Sequence, residues 1–495
     1  MARERRPAVN IQTAWQATFD FWGKLPVIVE PSHAQLTSDA GLLPLRQFDE
    51  HIGLTQQFAQ ALDDPRDPEL CDHTVLDMVR SRIYGVLAGY EDQNDHDALR
   101  YDPVFKLIAN RTPDADPLAS QPTLSRFENS INIASLWRLR DLFIDQFIAS
   151  FATPPKHLVF DLDAVDDPAH GEQQLVLFHG YFDQYQYFPS FITCADNDQT
   201  VVLSLRPGAM HAALGADDDL RYLVRRLRQA WPGVHIHVRG DAGYGMPWMY
   251  EPCEQLSIDY TFGIAINNVL RKRSDSLVKQ AVARFQATGQ PQRLFDAFWY
   301  QAGTWAAPRW VIVKAEANAQ GTNRRFIVTN RPGARIVPEA AYDDYAARGE
   351  AENRNKELKC DLKIDRTSDH RFLANFFRLY LHAAANNLLV RLRRAFADPP
   401  PPPAPTSLTP TPPDEIPVEA LTGAARRRYF TRRRQVDPLG EGQPCTWRSL
   451  LIKVAAEVIS STHRIVVRLS AAWPYLDWYR RLCAFLTSAR PISSG

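Results

Sequence analysis

The sequence has few cysteines and no long hydrophobic run. Its six cysteines are scattered over 495 residues, and none forms a Cys-x2-Cys pair. This spacing argues against a zinc site and against a disulfide framework, and it is typical of a protein of the reducing cytosol. No stretch approaches 18 consecutive apolar residues, so no transmembrane helix is predicted. The N-terminal residues lack the apolar segment of a signal peptide, and we therefore expect a cytoplasmic protein with no membrane partner.

The sequence also lacks net charge. Lys and Arg together number 57, as do Asp and Glu, so the overall charge does not indicate a nucleic-acid partner. The hydrophobic fraction of 45% is sufficient for a large core and excludes wholesale disorder. The length predicts about three domains. Evidence for DNA binding therefore has to come from the distribution of charged residues along the chain.

Hydrophobic patterns predict a mixed α/β fold. Residues 34–152 have helical spacing, whereas residues 156–207 indicate three antiparallel strands, followed by a helix and two further strands. A polar helix and aromatic strands then interrupt the alternation, which predicts an insertion with its own small sheet. The predicted segments are an N-terminal extension (1–33), a helical DNA-binding domain (34–152), a core in two parts (153–267 and 341–397), a β-rich insertion (268–340), a Pro-rich linker (398–417) and a basic C-terminal module (418–495).

One polar stripe stands out in the second part of the core. Residues 342–362 contain no Pro and many helix formers, which predicts a continuous helix. At 100° per residue, four side chains of this segment lie within about 60° of one another, whereas Glu350 and Glu357 point elsewhere. A carboxylate, two cations and a phenol make a poor core face but suit a metal ion and a phosphate. The four residues are Tyr345, Arg348, Glu352 and Lys359.

Acidic residues elsewhere could complete a metal site with this stripe. Asp161 and Asp163 lie two apart on one predicted strand, and Asp241 directly follows another. Such residues are more often turn or cap residues. Together with Glu352, however, carboxylates from two strand ends could bind a pair of Mg²⁺ ions. Two such ions stabilise the attacking and leaving oxygens of a displacement at phosphorus.

The residues around these acids resemble those of the DDE transposases of bacterial insertion sequences. The likeness is to the cut-and-paste group whose third acid lies in a Y-x2-R-x3-E-x6-K signature, which the stripe matches in full. Three segments around the aspartates also resemble motifs of one subgroup of these enzymes: FDLDAVDDPAHGEQQ, HGYF and RGDAGY. The resemblance implies an RNase H-like catalytic fold with a β-strand insertion. It also implies a protein of the bacterial nucleoid that binds terminal inverted repeats, forms a homodimer on DNA, and uses Mg²⁺, or Mn²⁺ in its place, to cut and join strands.

The resemblance assigns Asp241 as the second acid and Glu352 as the third. The first acid stays open between two residues. The usual D-x-T pattern of the family favours Asp163, although position 165 is Val, and Asp161 is the alternative. The predicted phosphate contacts beside the acids are Tyr345, Arg348, Lys356 and Lys359.

Other residues are weaker candidates for DNA binding. Arg126, near the start of a predicted helix, fits the recognition end of a helix-turn-helix but equally an ordinary surface helix. Two arginine runs, Arg426, Arg427 and Arg428 and then Arg432, Arg433 and Arg434, suit a DNA backbone or a solvated face. Base-stacking candidates in the insertion are Trp299, Trp305 and Trp310, although such residues more often belong to a core.

Two other functions fit the same residues. An RNase H-like nuclease or a domesticated transposase would keep the acids but lack strand transfer. A non-catalytic DNA-binding protein would use the acids only as structural groups.

Overall fold

The first part of the chain is a small hairpin followed by a helical domain. The computed structural model describes residues 15–21, 24–169, 171–335, 337–396, 439 and 442–488. The first elements are β1 (Ala17–Phe19), β2 (Val27–Val29), β3 (Leu36–Thr37), α1 (Leu42–Ile52), α2 (Leu54–Gln60), α3 (Val75–Ala88), α4 (His96–Leu99), α5 (Pro103–Ile108), α6 (Gln121–Asn129) and α7 (Ile133–Ile148). Side-chain caps explain several helix starts, because Thr74 and Asp77 form a capping box on α3 and Asn132 caps α7.

A large mixed sheet forms the centre of the protein. Its elements are β4 (His157–Ala164), β5 (Asp167–Pro168), β6 (Leu177–His179), β7 (Gln184–Tyr187), β8 (Ser190–Cys194), β9 (Thr200–Ser204), α8 (Ala216–Ala230), β10 (His235–Gly240), α9 (Pro247–Gln255), β11 (Asp259–Ile264), α10 (Asn268–Thr288), β12 (Gln292–Tyr300), β13 (Arg309–Asn318) and β14 (Gly321–Thr329). The eight main strands are ordered β12-β13-β14-β11-β10-β4-β8-β9, and β5, β7 and β6 form a separate small sheet. Strands β9, β8 and β4 are antiparallel, whereas β4, β10 and β11 are parallel. This confirms the predicted mixed α/β, RNase H-like core.

The expectation that the insertion has its own sheet is wrong. Strand β14 pairs with β11, from Thr261 opposite Thr329 to Ile264 opposite Phe326. The insertion strands therefore extend the central sheet. The physical reason is that β11 would otherwise be an edge strand with unpaired backbone groups, and β14 satisfies them.

The predicted helix over residues 342–362 is interrupted. The chain forms α11 (Pro338–Ala346), a turn at residues 347–348, α12 (Gly349–Lys356) and a π-helical turn (Glu357–Asp361), and then α13 (Phe372–Phe396). Gly349, a weak helix former, directly follows the break. Helix α11 packs on the insertion, where Tyr342 is buried against Ile312 and Ile327. The 100° rule therefore does not hold from Tyr345 to Glu352.

Residues 442–488 complete the helical domain. They form α14 (Pro444–Trp447), a π-helical turn (Arg448–Ile452), β15 (Ala456–Ser460), β16 (Ile465–Leu469) and α15 (Leu476–Ser488). Strand β15 pairs with β3, and fully buried Trp447 shares the core of α1, α3 and α13. A Cβ at Gly41 would lie 1.8 Å from the Leu451 carbonyl oxygen, so only glycine permits this contact. Within the described residues, the predicted C-terminal module thus has no separate core. None of the helices described is long and apolar enough to cross a membrane.

Candidate active site

Two of the predicted acids lie at the same edge of the central sheet. Strands β4 and β10 are parallel neighbours, with Gly240 opposite Leu162, so Asp163 and Asp241 follow at the same level. Asp241 also caps the short turn after β10 by accepting a hydrogen bond of 2.8 Å from the Gly243 amide. The two carboxylates repel each other, and this repulsion contributes to raising the pKa of Asp163.

Asp163 is a buried carboxyl group with an unusual pKa. Burial raises this pKa to about 6, Arg348 opposes the increase, and Asp241 adds to it. The Asn355 side-chain amide donates a hydrogen bond of 2.5 Å to Asp163 Oδ2. Asn355 belongs to α12, three residues after Glu352. The helix that carries the third predicted acid therefore contacts the first one directly.

Arg348 contacts Glu352 and interacts electrostatically with Asp163 and Asp241. It lies in the turn between α11 and α12 and donates a hydrogen bond of 3.1 Å to Glu352 Oε1. Burial opposes its charge, but Tyr345, Asp163, Asp241 and Glu352 together raise its pKa. The guanidinium is thus the positive charge around which the carboxylates are arranged.

The structure brings these acids together only in part. The Glu352 side chain is 54% exposed and contacts Arg348. Over the described residues, no group of three or more His, Cys, Asp or Glu side chains forms a metal site. The oxygen donors of Asp163 and Asp241 nevertheless fit a hard cation such as Mg²⁺, because a bound cation would relieve their repulsion.

A comparison with known protein families identifies the class of this chain. The transposase DDE domain group 1 family matches residues 22–400, which is most of the chain. The chain belongs to this family. No curated protein matches the sequence. Members of such a family act on DNA, so this transposase binds DNA.

Asp161, the alternative first acid of the transposase, is engaged elsewhere. Its side chain is 3% exposed, and its two oxygens accept hydrogen bonds of 2.7 and 2.8 Å from Arg239. Arg239 also donates to the Asp344 carbonyl oxygen at 2.7 Å and so fixes α11 to the sheet. Because both Asp161 oxygens are used in a buried ion pair, the geometry favours Asp163 as the first acid.

We expect Asp161→Asn to reduce stability without abolishing chemistry. The amide keeps one acceptor for Arg239 but loses the charge, so the free energy of unfolding should fall by about 2 kcal/mol. Urea unfolding measures this change, and DNA cleavage by the folded fraction should persist. Complete loss of cleavage in a folded Asp161→Asn protein would instead identify Asp161 as an essential acid.

The other stripe residues have distinct environments. The Lys359 ammonium group donates to the Asp166 carbonyl oxygen at 2.8 Å and pairs with the Asp166 carboxylate at 3.0 Å. Lys356 is exposed. A Cβ built at Gly263 would lie 2.9 Å from Tyr345 Oη, so the phenol reaches the end of β11. Tyr345 therefore lies beside the strand edge that carries Asp241.

The remaining candidates differ in accessibility. Arg126 is exposed on α6, where it donates to Thr123. Trp305 is buried against Tyr250 and Tyr300, which makes it a core residue. Trp310 is half-buried and packs against Trp299, which is 48% exposed. The two arginine runs at 426–428 and 432–434 lie outside the described residues, as does the Pro-rich linker.

Two residues that contact predicted acids were not among the sequence candidates, Asn355 and Arg239. Asn355 lies seven residues after Arg348, and this spacing alone could have added it to the polar stripe. Arg239 is two residues before Asp241 and so shares its strand face, but nothing in the sequence indicates its partner. Their contacts cross between elements that are distant in the chain, so periodicity cannot reveal them.

Proposed function

We propose that this transposase cuts DNA at the ends of a bacterial insertion sequence and joins the freed 3′-OH ends to target DNA. The observation that carries the proposal is the position of Asp163 and Asp241 at one sheet edge, with Asn355 of the helix that carries Glu352 hydrogen-bonded to Asp163. A nuclease needs carboxylates and a cationic group at such an edge to hold a phosphate between metal ions.

Asp163, Asp241 and Glu352 are the proposed ligands of Mg²⁺, or of Mn²⁺ in its place. When bound, a pair of such ions would stabilise the oxygens that attack and leave the phosphorus. Arg348 would bind the non-bridging oxygens of the phosphate. Burial raises the pKa of Tyr345, so its hydroxyl keeps its proton and can donate a hydrogen bond to the same phosphate.

Other parts of the proposal concern the DNA away from the reacting phosphate. Lys359, held by Asp166, and exposed Lys356 extend the cationic surface along α12. Exposed Arg126 and the basic runs near residues 426 and 434 are proposed contacts to the terminal inverted repeats. Trp299 is the insertion residue with the most accessible ring for a displaced base. A homodimer would hold the two ends of the element together in the bacterial nucleoid.

A reconstituted reaction tests this function. Purified full-length protein is mixed with Mg²⁺, a target plasmid and a duplex that carries the inverted repeats flanking the gene. We expect strand cleavage at the repeat ends and a joined product, and chelation of the metal should abolish both. Cleavage without joining would indicate a nuclease or a domesticated transposase, and specific binding without cleavage would indicate a DNA-binding protein only.

A further inference from the structure

Arg325 of the insertion lies at the same sheet edge as the predicted acids. The ladder between β11 and β14 ends with Ile264 opposite Phe326, so Arg325 lies one residue beyond the end of β11. Because β11 is parallel to β10, this is also the edge where Asp241 is found. The insertion therefore contributes an arginine to the side of the sheet that carries the candidate site.

The strand register places Arg325 next to Tyr345. Gly263, at which an added Cβ would lie 2.9 Å from the Tyr345 hydroxyl, is opposite Ile327 in the β11–β14 ladder. Side chains two residues apart on a strand share one face, so Arg325 points to the same face as Ile327. Arg325 accordingly opposes the increase in the pKa of Tyr345 that burial causes. The Arg348 guanidinium carbon lies 5.9 Å from the Tyr345 ring, so two arginines lie near this phenol.

The charge around Arg325 is not balanced by the protein. Arg325 is directly opposite Lys314, and like charges in this position repel. Glu316 pairs with Lys314 at 2.9 Å, and Asp343 pairs with neighbouring Arg293 at 2.5 Å. Across the described part of the chain, no carboxylate pairs with Arg325, which is exposed. The surface therefore has an excess positive charge that an anion can compensate.

We propose that Arg325 binds a backbone phosphate of the DNA strand whose neighbouring phosphate lies at Arg348 and the catalytic carboxylates. The assignment rests on the proposed function. It extends the phosphate-binding surface from α12 across Tyr345 to the insertion, so the insertion forms part of the DNA-binding surface. The planar guanidinium can bind two phosphate oxygens at once, which a lysine cannot do.

Binding measurements test the assignment without chemistry. The affinity of full-length protein for the inverted-repeat duplex is measured by fluorescence anisotropy in chelator, so that no strand is cut. We expect Arg325→Ala to weaken binding about tenfold and to lower the salt slope by about 1. Arg325→Lys should have an intermediate affinity. The control is Arg284→Ala, which removes an exposed arginine from α10 of the same insertion and should bind like wild type.

Neutral phosphates identify the contact itself. One methylphosphonate at a time is placed near the cleaved end of the duplex. Wild-type protein should lose about tenfold in affinity at one position where Arg325→Ala shows no further loss. Two results would overturn the assignment. One is that every methylphosphonate weakens binding by Arg325→Ala as much as it weakens binding by wild type. The other is that Arg325→Ala binds DNA as tightly as Arg284→Ala. If the Arg325 assignment fails but the wild-type protein cuts and joins DNA, the proposed function stands. If the wild-type protein binds no DNA, both proposals fail.

Discussion

Replacing Asp163 with Asn will stop DNA cleavage and at the same time stabilise the metal-free protein. The amide cannot supply the negative charge that a divalent cation needs, and several kcal/mol of transition-state stabilisation are lost, which corresponds to a rate decrease on the order of 10³-fold. The stabilisation has a separate cause. At neutral pH the Asp163 carboxylate is charged, and its burial beside Asp241 disfavours this charge in the folded protein, so removing the charge should raise the free energy of unfolding. A gel assay of cleavage and urea unfolding in chelator measure the two effects.

The pH dependence of stability shows whether this cause is correct. The pKa of Asp163 is about 6 in the folded protein and about 3.8 when unperturbed. The folded state therefore binds the proton more tightly than the unfolded state does. The loss of stability caused by burying the ionised carboxylate is complete above pH 6 and disappears as the pH falls toward 4. We expect Asp163→Asn to be more stable than wild type by roughly 3 kcal/mol at pH 7 and by almost nothing near pH 4. An equal difference at both pH values would contradict this explanation.

Glu352→Gln is the matched control for Asp163→Asn. Glu352 is more than half exposed and, among the described residues, pairs with Arg348 alone, so its replacement should change the free energy of unfolding by less than about 0.5 kcal/mol. Cleavage should nevertheless be lost. A Glu352→Gln protein that still cuts DNA would refute its assignment as the third acid.

Glu128→Ala will destabilise the helical domain by about 3–5 kcal/mol. Glu128 is fully buried, with one oxygen 2.7 Å from Arg82 Nε and the other 2.6 Å from Arg378 Nε. These three residues belong to α6, α3 and α13, so one carboxylate holds three helices together. Removing it leaves the buried Arg82 guanidinium without its counterion and, among the described carboxylates, leaves Arg378 with only Asp369, at 3.9 Å. Thermal and urea unfolding measure the effect.

The same helix provides a control for Glu128→Ala. Arg126→Ala, two residues earlier, removes an exposed side chain and should leave stability within about 0.5 kcal/mol of wild type. The pKa of Glu128 is lowered to about 2, mainly because Arg82 and Arg378 outweigh the effect of burial. Its stabilisation is therefore present above the unfolded pKa and is lost as the pH falls toward 2. A change of less than 1 kcal/mol in Glu128→Ala at pH 7 would show that the helices pack without the ion pairs.

The local patterns of the core were predictable from the sequence. Two further strands were predicted after the helix that follows residue 207, and β10 is one of them. Its alternating sequence is typical of a strand with His237 and Arg239 on one face, and both side chains contact Asp344 of α11. The motifs around Asp163 and Asp241 also indicated the correct strand ends. Such features depend on neighbours in the sequence, and periodicity therefore reports them.

Contacts between distant segments were not predictable. The choice between Asp161 and Asp163 depends on Arg239, which pairs with Asp161 from another strand. The position of β14 beside β11 depends on which sheet edge is open after the core has formed. The break before Gly349 depends on how α11 packs on the insertion. The sequence of one helix or strand does not indicate any of these three features, because each depends on packing between distant segments.

The pairing of β3 with β15 has a consequence for the order of events during translation. The ribosome completes the strands that carry Asp163 and Asp241 well before Trp447 and β15 emerge, and domains made first tend to fold first. The helical domain cannot close its core until those last residues arrive. A nascent or prematurely terminated chain thus has the predicted acids but an open N-terminal domain. We infer that the helical domain reaches its final packing only after Trp447 and β15 have been made, later than the strands of the predicted acids.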